Sequence, residues 1–170
     1  MPNTAHILDH LSTLPMEEVL PHRSPMILID KMLAYQADSL TTQVDITPQS
    51  PYFDDGLAGV PNYVCIEYMA QSIAALAGVE AKLRQDKIRV GFLLGSRKLT
   101  MHIPHYRLGE SYQIRVTRLY QEESGLAVFD CQIFNNDTIV ASANVNVFQP
   151  QDTQAYIKES KSARPNNGEE

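Results

Sequence analysis

Apolar and polar positions change their period several times along the chain, and the changes divide it into elements. Residues 26–36, "MILIDKMLAYQ", are rich in apolar and branched side chains and predict a strand; after a turn at "ADS", residues 40–46, "LTTQVDI", alternate β-branched and polar positions and predict a second. The two read as a hairpin. Residues 47–61, "TPQSPYFDDGLAGVP", hold three prolines, two glycines and two aspartates and predict a loop, with Pro61 suited to the first turn of a following helix. That helix spans about 62–85 and is apolar on almost every side as far as Gly78: Tyr63, Val64, Ile66, Met69, Ile73, Ala74, Leu76 and Ala77 leave no broad polar face, the pattern of a buried helix. Beyond Gly78 it turns amphipathic, with Lys82, Arg84 and Gln85 facing solvent.

Four more strands follow, over residues 88–101, 111–121, 125–135 and 138–149. The link "IPHYRLGE" has a proline and a glycine to turn on, and "EESG" and "NND" are short hairpin connections. Upstream, "PMEEVLPHRSP" predicts a short amphipathic turn with Glu17 and Glu18 where a helix start favours negative charge. The fold class expected is α+β: two strands, one long central helix, then four strands in meander, an antiparallel six-stranded sheet whose apolar face wraps the helix. Residues 1–150 form this domain. Residues 151–170 are polar, proline-bearing and end in acids, and read as a frayed or disordered tail.

Composition narrows the partners. The formal net charge of -6 and the absence of any Lys/Arg block argue against a nucleic-acid surface. Cys65 and Cys131 lie in apolar stretches without metal-like or CxxC spacing and read as buried free thiols. The start, "MPNTAHILDHLSTL", lacks the basic and apolar regions of a secretory signal, and Glu67, Gln71 and Ser72 interrupt the longest apolar run, so no membrane span is expected. Together these place the chain in a soluble, reducing, cytoplasmic setting.

One residue in the buried helix asks for a reason. Desolvating a carboxylate costs several kcal/mol, yet Glu67 sits in the first turns. Tyr63, Glu67, Gln71 and Ala74 share one face at spacings of three and four, which makes Glu67 and Gln71 neighbours. A carboxyl kept from water is suited to holding and exchanging a proton near neutral pH. The alternative is a structural acid, paired with a basic group or bonded to backbone. The helix start at residues 61–64 also presents unpaired N–H groups to an oxyanion.

Two motifs carry a resemblance. "LPHRSPMILIDKML" is similar to the N-terminal signature of bacterial (3R)-hydroxyacyl-ACP dehydratases of the hot-dog fold, and "GVPNYVCIEYMAQSIAA" resembles their central helix, G-V-x-x-x-E-A-x-A-Q. The resemblance covers about residues 14–149. It implies a six-stranded sheet on one helix, dimers with active sites at the interface, and acyl chains carried on the phosphopantetheine of an acyl carrier protein. Glu67 would be the acid/base residue, with Gln71 orienting it, backbone N–H groups of Asn62 and Tyr63 meeting the thioester oxygen, and Phe53 and Gly59 completing the substrate-binding set. No metal and no cofactor is implied.

The family pairs its helix acid with a histidine from G-H-F-P-G-x-P-x-x-P-G-V-x-x-x-E. Counting back from Glu67, Pro61 and Gly56 match, but the histidine position holds Phe53. Dehydration needs a base for the α proton and an acid for the leaving hydroxyl, and Phe53 supplies neither. His22 belongs to the signature and reads as structural, His102 and His105 as solvated residues of a strand connection, and Asp54 and Asp55 as turn formers. Two arrangements remain. In one, a second hot-dog subunit carries the histidine, as in dehydratase pairs of aryl-polyene gene clusters, whose partner-type subunit "GVPNYVCIEYMAQSIAALAG" and "GFLLGSRKL" resemble. In the other, the chain binds acyl-ACP as a scaffold without catalysis; acyl thioesterase action is a further alternative.

Overall fold

The computed structural model describes residues 4–162. The predicted hairpin is β1 (Lys31–Gln36) and β2 (Ser39–Asp45), and the buried helix is α2 (Cys65–Leu83), entered through a single 3-10 turn at Asn62–Val64. A short helix, α1 (Thr4–Asp9), and 3-10 turns at Leu11–Thr13 and Met16–Glu18 precede the sheet; the latter turn buries Met16. After α2 come β4 (Phe92–Met101), β6 (Ser111–Gln121), β7 (Leu126–Asn135) and β8 (Thr138–Phe148). A separate two-stranded ladder pairs β3 (Gly59–Pro61) with β5 (His105–Arg107), two short strands inside segments expected to be loops.

The large sheet is antiparallel, in the order β1-β2-β6-β7-β8-β4, and it wraps α2: this is the hot-dog arrangement. Alternation of side chains puts one face of each central strand inward. Register then lines these faces up, with Leu40 beside Val116, Val116 beside Cys131, and Cys131 beside Ala143. Against this floor α2 buries Cys65, Tyr68, Met69, Ile73, Leu76 and Val79. One polar pair crosses the core: Thr42 Oγ1 and Ser72 Oγ lie 2.7 Å apart, and Ser72 Oγ donates to the Tyr68 carbonyl.

Four details differ from the sequence reading. The strand expected over 26–36 begins only at Lys31, because residues 26–28 leave the sheet to bond a side chain of α2. The four later strands are not one meander. Strands β6, β7 and β8 are, but β4 crosses to the far edge and pairs with β8, Phe92 opposite Phe148; the nine-residue link to β6, with β5 in it, gives the chain the reach. Where a frayed tail was expected from residue 150, residues Thr153–Ser162 form an exposed helix, α3, while residues 163–170 lie outside the described residues. Finally, Asn62–Leu83 is long and apolar enough to cross a membrane by length and composition, despite Glu67, Gln71 and Ser72; its apolarity answers to the core, since 67% of an 18-residue apolar window within it is buried in the fold.

Cys65 and Cys131 are free and buried, and burial pushes both thiols up, away from reactive thiolate. Gly78 marks the closest approach of α2 to the N-terminal segment: a Cβ there would run into the backbone of Val19. Gly78→Ala is expected to lower stability by about 1–3 kcal/mol, as overpacking does, measured as a lower denaturant midpoint at unchanged m-value.

Candidate active site

Glu67 lies in the first turn of α2, half-buried, at the wall of an elongated cavity of about 390 Å³. Ala70, Ile73, Ala74 and Ala77 continue that wall at helical spacing, covering about 15 Å of helix axis between positions 67 and 77. Pro21 and His22 of the signature segment, Phe92 and Leu93 of β4, Ala127 and Phe129 of β7, and Val147 of β8 close the other sides. Small alanines on the helix leave the space, and apolar residues on the strands line its opposite side. The expectation that an apolar helix face could receive an acyl chain thus has a cavity to match.

The carboxyl of Glu67 is held by one neighbour. Gln71, fully buried, donates from Nε2 to Glu67 Oε1 at 2.9 Å and to the Met26 carbonyl at 2.7 Å, while its Oε1 accepts the Leu28 N–H at 2.8 Å. Both N–H donors and one of the two carbonyl lone pairs of the amide are used, and the i, i+4 spacing read from the sequence becomes a direct contact. Among the described residues no cation pairs with Glu67, so the structural reading that set it against a basic group has no support here.

The remaining candidates lie elsewhere. Asn62 anchors the helix start: its Nδ2 donates to the Ile103 carbonyl at 3.0 Å and its backbone N–H to the Pro104 carbonyl at 3.3 Å. Its N–H is therefore already engaged, which corrects its expected role as a donor to a thioester oxygen. Tyr63 is 69% exposed, the most open large apolar side chain of the helix start. Gly59 is buried in the β3–β5 ladder, where a Cβ would collide with the Tyr106 carbonyl; its glycine is explained by close packing of two backbones rather than by a ligand. Phe53 is half-buried and packs against the core. None of these four lines the cavity in the single chain.

Asp54 behaves as the turn former expected, its Oδ1 accepting the N–H groups of Gly56 and Leu57. His105 sits in β5 and His102 is exposed at the end of β4. His22 lines the cavity, where the sequence reading had it as structural, and its Nδ1 is buried without a hydrogen-bond partner.

At the end of the cavity away from Glu67 the walls turn polar, with Arg89, Arg118, Gln121 and Gln149. Arg118 pairs with Glu80 through Nη2 and with Asp38 through Nη1 at 2.7 Å, and its guanidinium lies 5.4 Å from the Phe129 ring centroid. Burial works against its charge, but the hydrogen bonds of Glu80 and Asp38 outweigh that and hold its pKa above the usual value. These residues carried no signal in the sequence. They come from β6, from the link between α2 and β4 and from the residue that follows β8, and share one cavity only through sheet pairing.

The fold and site define a hot-dog protein with a helix carboxyl at an apolar cavity. Residues 14–158 match the ApeP-like family, described as ApeP dehydratase, and the chain belongs to that family. Among curated relatives it is 30% identical to the 3-hydroxyacyl-acyl-carrier-protein dehydratase FabZ of Chlamydia trachomatis over 52% of this chain and 61% of that protein. The chain thus spans about three fifths of the first relatives it matches. The FabZ of Psychrobacter arcticus is 26% identical over 86% of this chain and 97% of its own length. Among solved structures, "The Dehydratase Heterocomplex ApeI:P from Xenorhabdus doucetiae" contains a chain that is 27% identical, with a TM-score of 0.78, covering 86% of this chain and 97% of that one.

Replacing Gln71 by Met keeps the volume but strands the buried Leu28 N–H and frees Glu67. Leaving a buried donor unmet costs about 1–3 kcal/mol. The expected result is a lower thermal midpoint together with loss of order in segment 26–28, read as faster amide exchange at Leu28; an unchanged exchange rate there would contradict the assigned bond.

Proposed function

We propose that the chain is a subunit of a 3-hydroxyacyl-ACP dehydratase, in which Glu67 acts as acid and a histidine from a second hot-dog subunit acts as base. The observation that carries the reading is the Glu67 carboxyl, fixed by Gln71 at the wall of an apolar cavity that suits an acyl chain. Family membership and the FabZ relatives support the reaction class.

The chemistry needs only proton transfer. A base takes the α proton of the 3-hydroxyacyl thioester, and electron density moves into the thioester carbonyl, where donors stabilise the developing oxyanion. Protonated Glu67 gives its proton to the departing hydroxyl, the C–O bond breaks, and water and the 2-enoyl thioester result. The proton taken by the base and the one given by Glu67 balance, and exchange between the two groups restores the starting state. Tyr63 N–H, in the first turn of the helix, remains the donor this chain offers to the thioester oxygen; Gly59 and Phe53 shape the approach from outside the cavity.

A second subunit is supported by two observations. Phe53 occupies the histidine position, so this chain lacks one of the two groups at that place. The edge strand β4 exposes Leu93, Leu94, Leu99 and Met101, the sort of apolar edge that proteins cover. The related heterocomplex is a precedent for two different chains. Acyl carrier protein is the proposed source of the substrate.

Co-expression with a histidine-bearing hot-dog protein is expected to give a mixed complex with dehydratase activity that neither chain shows alone. Within it, Glu67→Gln is expected to lower kcat by about a hundredfold or more, the usual contribution of a positioned acid, with an unchanged thermal midpoint. Full activity of the single purified chain would defeat the composite site; unchanged turnover by the Gln variant would defeat the role of Glu67. Release of free acid and thiol instead of enoyl product would mark a thioesterase, and capture of unaltered acyl-ACP a scaffold.

A further inference from the structure

Positive charge is unevenly spread along this acidic chain. Residues 87–109 hold Lys87, Arg89, Arg97, Lys98 and Arg107 and no aspartate or glutamate, although acids outnumber bases 20 to 14 over the whole sequence. Two of these cations stand side by side at the middle of β4, the free edge of the large sheet. Arg97 and Lys98 are exposed, and among the described residues neither has a carboxylate partner. The neighbouring strand offers none, since β8 carries no charged side chain; the carboxylate in line with Arg97 is Asp130, beyond Asn144 and about 10 Å away across two strand spacings. A lysine and a bulge, here between Arg97 and Thr100, are ways in which proteins guard a sheet edge. An edge that is only guarded has no reason to expose Leu93, Leu94, Leu99 and Met101 as well. Gly95 points the same way: glycine weakens a strand, and an added Cβ would meet no atom of this chain within 4 Å, so the space it leaves is open to a second backbone.

We propose that the edge of β4 selects its partner by charge: Arg97 and Lys98 oppose pairing with a second copy of this chain and favour an edge strand that carries carboxylates at its middle. Two-fold symmetry supplies the reason. When an antiparallel strand pairs with its own copy, positions near its midpoint meet their counterparts. The ten residues of β4, Phe92–Met101, have their midpoint between Ser96 and Arg97. In full overlap Arg97 lies diagonal to Lys98 of the other copy, about 7–8 Å away, within reach of such long side chains. A slip of one residue either way sets Arg97 opposite or diagonal to its own counterpart. Four unpaired cations then crowd the axis, and like charges across a strand pair are destabilising. A strand with acids at those positions turns each repulsion into attraction while covering the same apolar side chains, so the two residues both exclude the wrong partner and hold the right one.

That the partner is a hot-dog subunit rests on the dehydratase reading; the charge rule does not, so it is tested first without substrate. Wild type, Arg97→Glu and the double variant Arg97→Glu/Lys98→Glu are compared as full chains by sedimentation equilibrium, each checked for an unchanged thermal midpoint. Arg97→Glu sets a carboxylate of one copy near Lys98 of the other, twice per dimer by symmetry, and is expected to self-associate about tenfold tighter than wild type. Wild type and the double variant are each expected to self-associate weakly and, when mixed, to pair with one another about tenfold tighter than either does with itself. Raising salt from about 0.1 M to about 1 M, which shortens the screening length from about 10 Å to about 3 Å, is expected to weaken that mixed pair and to strengthen the wild-type self-pair. A wild-type self-pair as tight as the mixed pair, no gain from Arg97→Glu, or the same salt response in both pairs overturns the proposal. Against the histidine-bearing subunit of the co-expression experiment, the double variant is expected to lose about tenfold or more in affinity. Undiminished pairing there, with turnover lost only on ACP-borne substrate, would assign the cations to the carrier protein and overturn the proposal too. Should every pairing result hold while the complex with the histidine-bearing subunit dehydrates nothing, the charge-selective edge stands and the dehydratase reading falls.

Discussion

A single buried amide connects the fold to the site. Gln71 has no access to water, so each of its polar atoms must find a partner inside the protein or cost the full desolvation of that atom. It finds them on three sides: the Leu28 N–H, the Met26 carbonyl and the Glu67 carboxyl. The first two fix where the chain enters the sheet, since residues 26–28 cannot bond to β2 and to Gln71 at once; β1 starts at Lys31 for that reason. The third fixes which way the carboxyl of Glu67 lies. A side chain that could be an apolar filler in a core helix is instead the reason that the signature segment and the carboxyl keep a constant geometry.

The same segment closes the cavity. Leaving Val19, which lies against Gly78, the chain runs back along α2 through Pro21 and His22 to reach Gln71, so it travels antiparallel to the helix and lines the space as it goes. Arg23 keeps it from collapsing by donating from Nη1 to the carbonyls of Leu20 and His22. The cavity is thus bounded by helix, sheet and a stapled segment, and its alanine-rich helix wall sets its width. A larger residue at Ala70, Ala74 or Ala77 would fill it without disturbing the sheet, which ties the helix composition to the space rather than to helix propensity alone.

Much of this was legible from local pattern. Period-two alternation located β2, and the burial of β6, β7 and β8 alternates in the same way, because each has one face on the core and one turned away from it; the continuous apolar run located α2 because it is covered on most sides. The Glu67–Gln71 contact followed from helical spacing. What the pattern could not carry was anything set by long-range pairing. The place of β4 beside β8, the β3–β5 ladder that engages Asn62 and explains Gly59, and the presence of Arg89 and Arg118 in the wall of one cavity all depend on which strand lies next to which. Hydrophobic periodicity is silent on that, since an edge strand and a central strand of similar composition read alike. The early end of the 26–36 strand was hidden for a related reason: its backbone partner is a side chain 43 residues away.

Phe53 gives the site its asymmetry. A phenyl ring at a position where the family carries an imidazole cannot move a proton, yet it packs against the core and so preserves the loop that Asp54 turns. Such a replacement keeps the architecture and removes one chemical group, leaving Glu67 intact. The composite site we propose follows this chemistry: the chain presents an oriented carboxyl, Phe53 offers no proton, and the exposed apolar edge of β4 would give a second subunit a surface to cover.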